Sequence, residues 1–289
     1  MFEQYISSKE ASNIIGVNVS TIKRWADKGQ INCEITAGGH RKFLMRHIAT
    51  FLNENTKYRS RLNILPHDSL EQKELNQLII KKQIPELTDI FFSASIDGDS
   101  ETCHYIMNGL YLSGLQLHEI YDNLISPALT TIGEAWRKGD LAVYREHVAS
   151  KVVQRCIHGM YDVLKRPKKK LGLAICIGLK DDQHEIPLFI TEQILFDKGF
   201  DVINVGTNTP LQKIETLFND SKPNRLYISS TIVNDPKSAE GDLVKLHALA
   251  NECNMLIFLG GRGFEHVRLP LDGTYKMLSS FSQLAETLQ

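Results

Sequence analysis

A chain of 289 residues, 42% apolar and 23% charged, has room for two or three domains and enough apolar side chains to bury their cores, which excludes disorder as its dominant state. The sequence has no apolar run of the roughly eighteen residues a membrane-spanning helix needs. Met1-Phe2-Glu3-Gln4 lacks the basic-then-apolar start of a secretory signal. The five scattered cysteines (Cys33, Cys103, Cys156, Cys176, Cys253) contain no C-x-x-C pair and suit a reducing cytoplasm. The net charge of −1 is uneven: residues 1–60 hold nine Lys/Arg against five Asp/Glu, a balance of +4 that leaves −5 for the remainder. A basic head on an acidic body points to phosphate as the head's partner, or else to a merely solvated charged face.

In chain order, Ser7-Ser8-Lys9-Glu10 reads as a capping box that opens a helix through Ala11, Ile14 and Ile15, ended by Gly16. Asn18 is placed to cap a second helix that buries Ile22, Trp25 and Ala26 and offers Ser20, Thr21, Lys23 and Arg24 to DNA. Thr36-Ala37-Gly38-Gly39-His40-Arg41-Lys42-Phe43 follows as a glycine-tipped hairpin with His40, Arg41 and Lys42 as donors to a phosphate backbone. These first 55 or so residues resemble the MerR-type winged helix–turn–helix, especially its G-G-H-R wing. The resemblance assigns residues 1–57 to a domain that binds double-stranded DNA.

Residues 58–70, polar and broken by Pro66 before His67-Asp68-Ser69, read as a linker. Over 71–165 the segments Leu87–Ile96, Cys103–Ser113, Leu117–Trp136 and Leu141–Leu164 carry apolar positions at helical spacing, the pattern of a four-helix bundle. Arg166-Pro167-Lys168-Lys169-Lys170 reads as a solvated basic hinge. From 171 to 289 strand-length apolar runs (171–178, 202–205, 226–229, 255–259) alternate with helical stretches (187–198, 211–218, 237–251), and the end reads as helical. This predicts a doubly wound α/β domain, a parallel sheet that binds ligands at the carboxyl ends of its strands.

Three short motifs follow strands of that sheet. Asp182-Gln183-His184 precedes Pro187, Ser229-Ser230-Thr231 begins 42 residues after Pro187, and Gly260-Gly261 begins 29 residues after Thr231. Each alone suits an ordinary loop, but a common sheet edge would gather them. They resemble the D-x-H-x-x-G, S-x-T and G-G pattern of Rossmann-like cobalamin-binding domains, with Pro187 standing where the family has glycine. The resemblance implies that His184 is the lower axial ligand of cobalt, with Asp182 behind it. Ser229, Thr231, Gly260 and Gly261 would line the slot for the nucleotide tail.

Trp136 followed ten residues later by Glu146-His147 resembles, in this context, the upper-face motif of light-sensing MerR–cobalamin regulators. By that resemblance Trp136 and Glu146 hold the adenosyl group of adenosylcobalamin, and His147 ligates cobalt from above after light. The whole then reads as a multidomain, non-enzymatic DNA-binding regulator, a cytoplasmic homo-oligomer (dimer or tetramer) and in sense a repressor. Two other readings stay open: a light-insensitive or cobalamin-independent regulator of the same architecture, and a corrinoid carrier for methyl transfer.

Overall fold

The computed structural model describes residues 5–64, 69–165, 167, 169–269 and 274–288, in two compact units, Met1–Lys165 and Arg166–Gln289. Of the expected linker and hinge, Pro66, His67, Asp68, Arg166 and Lys168 lie outside the described residues.

The first unit opens with strand β1 (Tyr5–Ser7), helices α1 (Ser8–Ile15) and α2 (Val19–Asp27), strands β2 (Glu34–Ile35) and β3 (Arg41–Leu44), and helix α3 (Met45–Glu54). The expected capping box is present: the Glu10 N–H donates to Ser7 Oγ (3.2 Å) and the Ser7 N–H to Glu10 Oε2 (2.6 Å). Asn18 stands at the N-cap of α2, but its side chain makes no capping bond. Gly16 ends α1 at φ +70°, where a Cβ would lie 2.4 Å from the Arg61 carbonyl oxygen, so both backbone conformation and space demand glycine. The strands form an antiparallel sheet in the order β1-β3-β2, and residues 36–40 turn between its hairpin strands through Thr36 N–H to His40 O (2.9 Å).

The expected linker does not begin at residue 58. Thr56–Arg61 form a 3-10 turn in which the Tyr58 ring packs 5.1 Å from Trp25 and 5.7 Å from Phe51, and Leu62 is buried. Asn76 then accepts from the Ile64 N–H and donates to the Leu62 carbonyl. An aromatic residue in a polar stretch was the missed signal.

Helices α4 (Leu70–Lys81), α5 (Ile84–Asp97), α6 (Ser100–Leu112), α7 (Leu117–Ile120), α8 (Ser126–Lys138) and α9 (Val143–Gly159) complete this unit. Helix α5 packs against α4, α6, α8 and α9. Leu87, Phe91, Ile106, Tyr121 and Val153 are buried at their contacts. A wide turn over Tyr121–Ile125 joins α7 to α8. Ser126 N–H donates to the Tyr121 carbonyl there, and Pro127, two residues past the turn, has no N–H to offer residue 123. Among the described residues no helix is long and apolar enough to cross a membrane.

The second unit is α/β: β4 (Gly172–Gly178), α10 (Ile186–Lys198), β5 (Phe200–Gly206), α11 (Ile214–Ser221), β6 (Arg225–Ser229), α12 (Pro236–Glu252), β7 (Leu256–Gly260), β8 (Tyr275–Leu278) and α13 (Phe281–Glu286). All pairings are parallel, in the order β5-β4-β6-β7-β8. Ile175, Ile177, Ile257 and Leu259 share a core with Phe218 of α11 and Leu243 and Leu246 of α12, while α10 packs on β4, β5 and α13. The expected doubly wound sheet is thus observed, with one strand more than the sequence announced. Strand β8 lies at an edge, where Tyr275-Lys276-Met277-Leu278 needs only one partner and little burial.

Candidate functional site

The chain leaves β4 outward to β5 and returns to the other side of β4 as β6, so the order reverses between β4 and β6, the place where open α/β sheets bind ligands. Gly178 at the end of β4 pairs with Ser229 at the end of β6, which pairs with Gly260 at the end of β7. Three motifs far apart in sequence therefore leave the sheet side by side.

Asp182 is the centre of this edge, only 2% exposed. One carboxylate oxygen accepts from the His184 backbone N–H (3.0 Å) and from His184 Nδ1 (2.6 Å). The other accepts from the Thr231 backbone N–H at 2.5 Å. Burial alone would raise this carboxyl's pKa, but the bonds from His184 and Thr231 outweigh it and hold the pKa below the usual carboxylate value. A carboxylate at Nδ1 puts the ring proton there and leaves the Nε2 lone pair free. The His184 side chain is 46% exposed, so a metal can reach it.

Thr231 serves this dyad through its main chain, not its hydroxyl. Two supports escaped the sequence reading, because both depend on loops meeting in space. Asn208 accepts from the N–H of Asp181, itself at φ +66°, at 3.0 Å, and the Leu179 N–H donates to the Ser229 carbonyl (3.1 Å).

The two glycines divide their work. Gly261 has φ +109°, and a Cβ there would stand 2.1 Å from the Ser230 carbonyl oxygen, so glycine is required by the fold itself. Gly260 meets nothing nearer than the Leu278 carbonyl oxygen at 3.9 Å, leaving open space beside the strand end. Pro187 occupies the first turn of α10, where its missing N–H costs no intrahelical bond. A half-exposed imidazole backed by a buried carboxylate, beside small residues at the switch point, fits a corrin's lower face.

In the first unit, Trp136 lies in the last turn of α8 and Glu146 in the first turn of α9. A small core of Ile132, Leu141 and Ala149 locks these two helix ends together. Glu146 accepts from the Ser150 hydroxyl at 2.7 Å and stands 3.5 Å from His147 Nε2. Ser150, one turn on, is a positioning partner the sequence reading missed. Trp136 is 49% exposed and Tyr144 66%, so both present aromatic surface to solvent. His147 is solvent-facing.

On the head, Ser20, Lys23 and Arg24 are exposed on α2, Thr21 is half-buried, His40 is exposed in the turn, and Arg41 and Lys42 are half-buried on β3. A cleft of about 370 Å³ brings Lys23 of α2 together with His40, Arg41 and Lys42. Thr21 and Arg24 line a different hollow with Tyr58 and Arg61, apart from Lys23, and Ser20 lines neither. Arg41 turns back to form an ion pair with Asp27 in the last turn of α2. If this cleft seats a phosphate, Lys23→Ala should make the slope of log K against log salt shallower by about one unit in a DNA titration. Arg41→Ala should in addition lower the melting temperature, because it also breaks the tie between hairpin and helix.

Residues 6–53 match the family of MerR HTH family regulatory proteins, and residues 88–158, which run through α5 to α9, match the B12 binding domain. The chain thus combines a MerR-type helix–turn–helix head with a helical stretch similar to the B12 binding domain, as a MerR–B12 regulator does, and its second unit is a parallel-sheet α/β unit. Within that class it is CarH-like: the HTH-type transcriptional repressor CarH of Myxococcus xanthus is 20% identical over 248 residues, 82% of each chain. The solved monomethylamine corrinoid protein of Methanosarcina barkeri shares the fold of the body. It covers 70% of this chain and 97% of its own, with a TM-score of 0.57 and 14% identity.

Proposed function

We propose that this regulator is a repressor that senses light through adenosylcobalamin and grips its operator as a homo-oligomer. The observation that carries the reading is the Asp182–His184 dyad, anchored on the Thr231 N–H at the sheet's switch point. His184 would hold cobalt through Nε2, with Asp182 keeping the ring in the ligating tautomer. The open side of Gly260, with Ser229 and Thr231, leaves room for the nucleotide tail. Trp136 and Glu146, the latter held by Ser150, would hold the adenosyl group, and His147 would be an imidazole available to cobalt. When bound, the cofactor supplies a cobalt–carbon bond that light breaks. The head reads DNA through Ser20, Thr21, Lys23 and Arg24, and holds its backbone with His40, Arg41 and Lys42.

The test is reconstitution with adenosylcobalamin, followed by absorption spectra and size-exclusion chromatography before and after green light. A histidine-ligated spectrum in the dark, a persistent spectral change on illumination, and a shift to smaller species are expected. A bound, photolysed cofactor with an unmoved elution volume would eliminate the light-driven assembly. Failure to bind at all would point to the cobalamin-independent regulator, with Pro187 the first position to revert to glycine.

A further inference from the structure

Outside the proposed cofactor and DNA surfaces, the described residues place two thiols and an imidazole together between α6 and α9. Cys103 and Cys156 are both fully buried on these two packed helices; the Cys103 thiol donates to the Phe91 carbonyl (3.7 Å), and the Cys156 thiol reaches the carbonyl of Ser100 (3.8 Å), three residues before Cys103. His104 Nδ1 lies 2.6 Å from the Ser100 carbonyl oxygen and 3.5 Å from Cys156 Sγ. A carbonyl only accepts, so Nδ1 carries the proton, and the same N–H points at the Cys156 sulfur as a donor. Cys156 Sγ thus has the His104 Nδ1–H beside it, a neighbour that favours a thiolate. The Cys156 pKa is accordingly lowered, by Cys103 first and then by His104, and that of Cys103 is raised. Gly159, three residues past Cys156, makes room for the ring: a Cβ there would lie 2.5 Å from His104 Nε2.

We propose that Cys156, Cys103 and His104 form a peroxide-reactive dithiol site whose oxidation ties α6 to α9 through a disulfide. The Cys156 thiolate attacks one oxygen of a hydroperoxide, the O–O bond breaks, and the leaving oxygen takes a proton, giving a sulfenic acid and water (or an alcohol). The Cys103 sulfur then attacks the sulfenic sulfur; the S–O bond breaks and a second water leaves with the thiol proton. Two thiols are oxidised by two electrons, and the peroxide is reduced by two. Peroxide is about as small as water and reaches the pair through local openings of the α9 end. The bridge would restrain α9, whose first turn carries Glu146 and His147 ~15 Å away along the helix.

The test uses the full-length chain without added cofactor, so its outcome does not depend on the light-sensing reading. The chain is treated with hydrogen peroxide, alkylated at intervals under denaturing conditions and peptide-mapped. The expected product is a Cys103–Cys156 linked pair, reversed by a thiol reductant and formed about tenfold faster than any oxidation of Cys33 or Cys253. His104→Gln and Gly159→Ala, the second displacing the ring while keeping both thiols, should each slow the bridge by about tenfold. Oxidation of Cys33 or Cys253 first, or Cys156 advancing to the sulfinic acid with Cys103 still free, would overturn the proposal. An unslowed bridge in both variants would remove the imidazole from it.

Discussion

Asp182→Asn is expected to weaken cobalamin binding by roughly 10–100-fold, the usual cost of losing the carboxylate behind a metal-bound histidine. An amide can present its oxygen to His184 or to the Thr231 N–H, but not to both, since its NH2 then faces a donor on the other side. One buried N–H is left unpaired, which should cost about 1–3 kcal/mol of stability. The same variant tests the sign of the pH dependence. A carboxyl held below its ordinary pKa in the folded state stabilises fully above the ordinary value, and loses that contribution as pH falls through the folded one. The wild type should therefore lose more stability than Asp182→Asn between neutral and acid pH. Equal losses, read by chemical denaturation at each pH, would show that the dyad is not what burial and geometry make it. Retention of cobalamin, measured by equilibrium dialysis, checks the binding half.

Illumination of the reconstituted protein is expected to lower operator affinity by ~10²–10⁴, the gain that joining several weak heads in one assembly confers without any new contact. Each head presents a small cleft between Lys23 and the hairpin, enough for a few phosphate contacts. A single head should bind DNA weakly and with a shallow salt slope. In the dark the slope should be a multiple of that of the isolated species, and light should reduce both affinity and slope together. A titration in which light lowers affinity but leaves the slope unchanged would mean that the heads reorient without parting.

Local chemistry made much of this molecule readable. Ser7 and Glu10 lie three residues apart, Gly16 ends α1, and the apolar runs of β4, β6 and β7 bury themselves wherever a sheet forms; such features rest on neighbours in the chain. The grouping of the Asp182, Ser229 and Gly260 motifs at one sheet edge was legible for the same reason, each following a strand. Where local signal was weak, the reading slipped. Asn18 takes its N-cap position without a side-chain bond, Tyr58 hides an aromatic anchor in polar surroundings, and β8 is an edge strand with one partner.

Tertiary structure alone decided which atoms meet. That Asp182 binds the main chain of Thr231, that Gly261 is required by the Ser230 carbonyl, and that Arg41 turns to Asp27 all depend on segments brought together by packing. So does the meeting of His104 with Cys156, 52 residues apart in sequence and in contact between two helices. Periodicity and capping are short-range properties a sequence carries openly. A hydrogen bond between distant loops depends on distances of a few tenths of an ångström, which no pattern of residue types encodes.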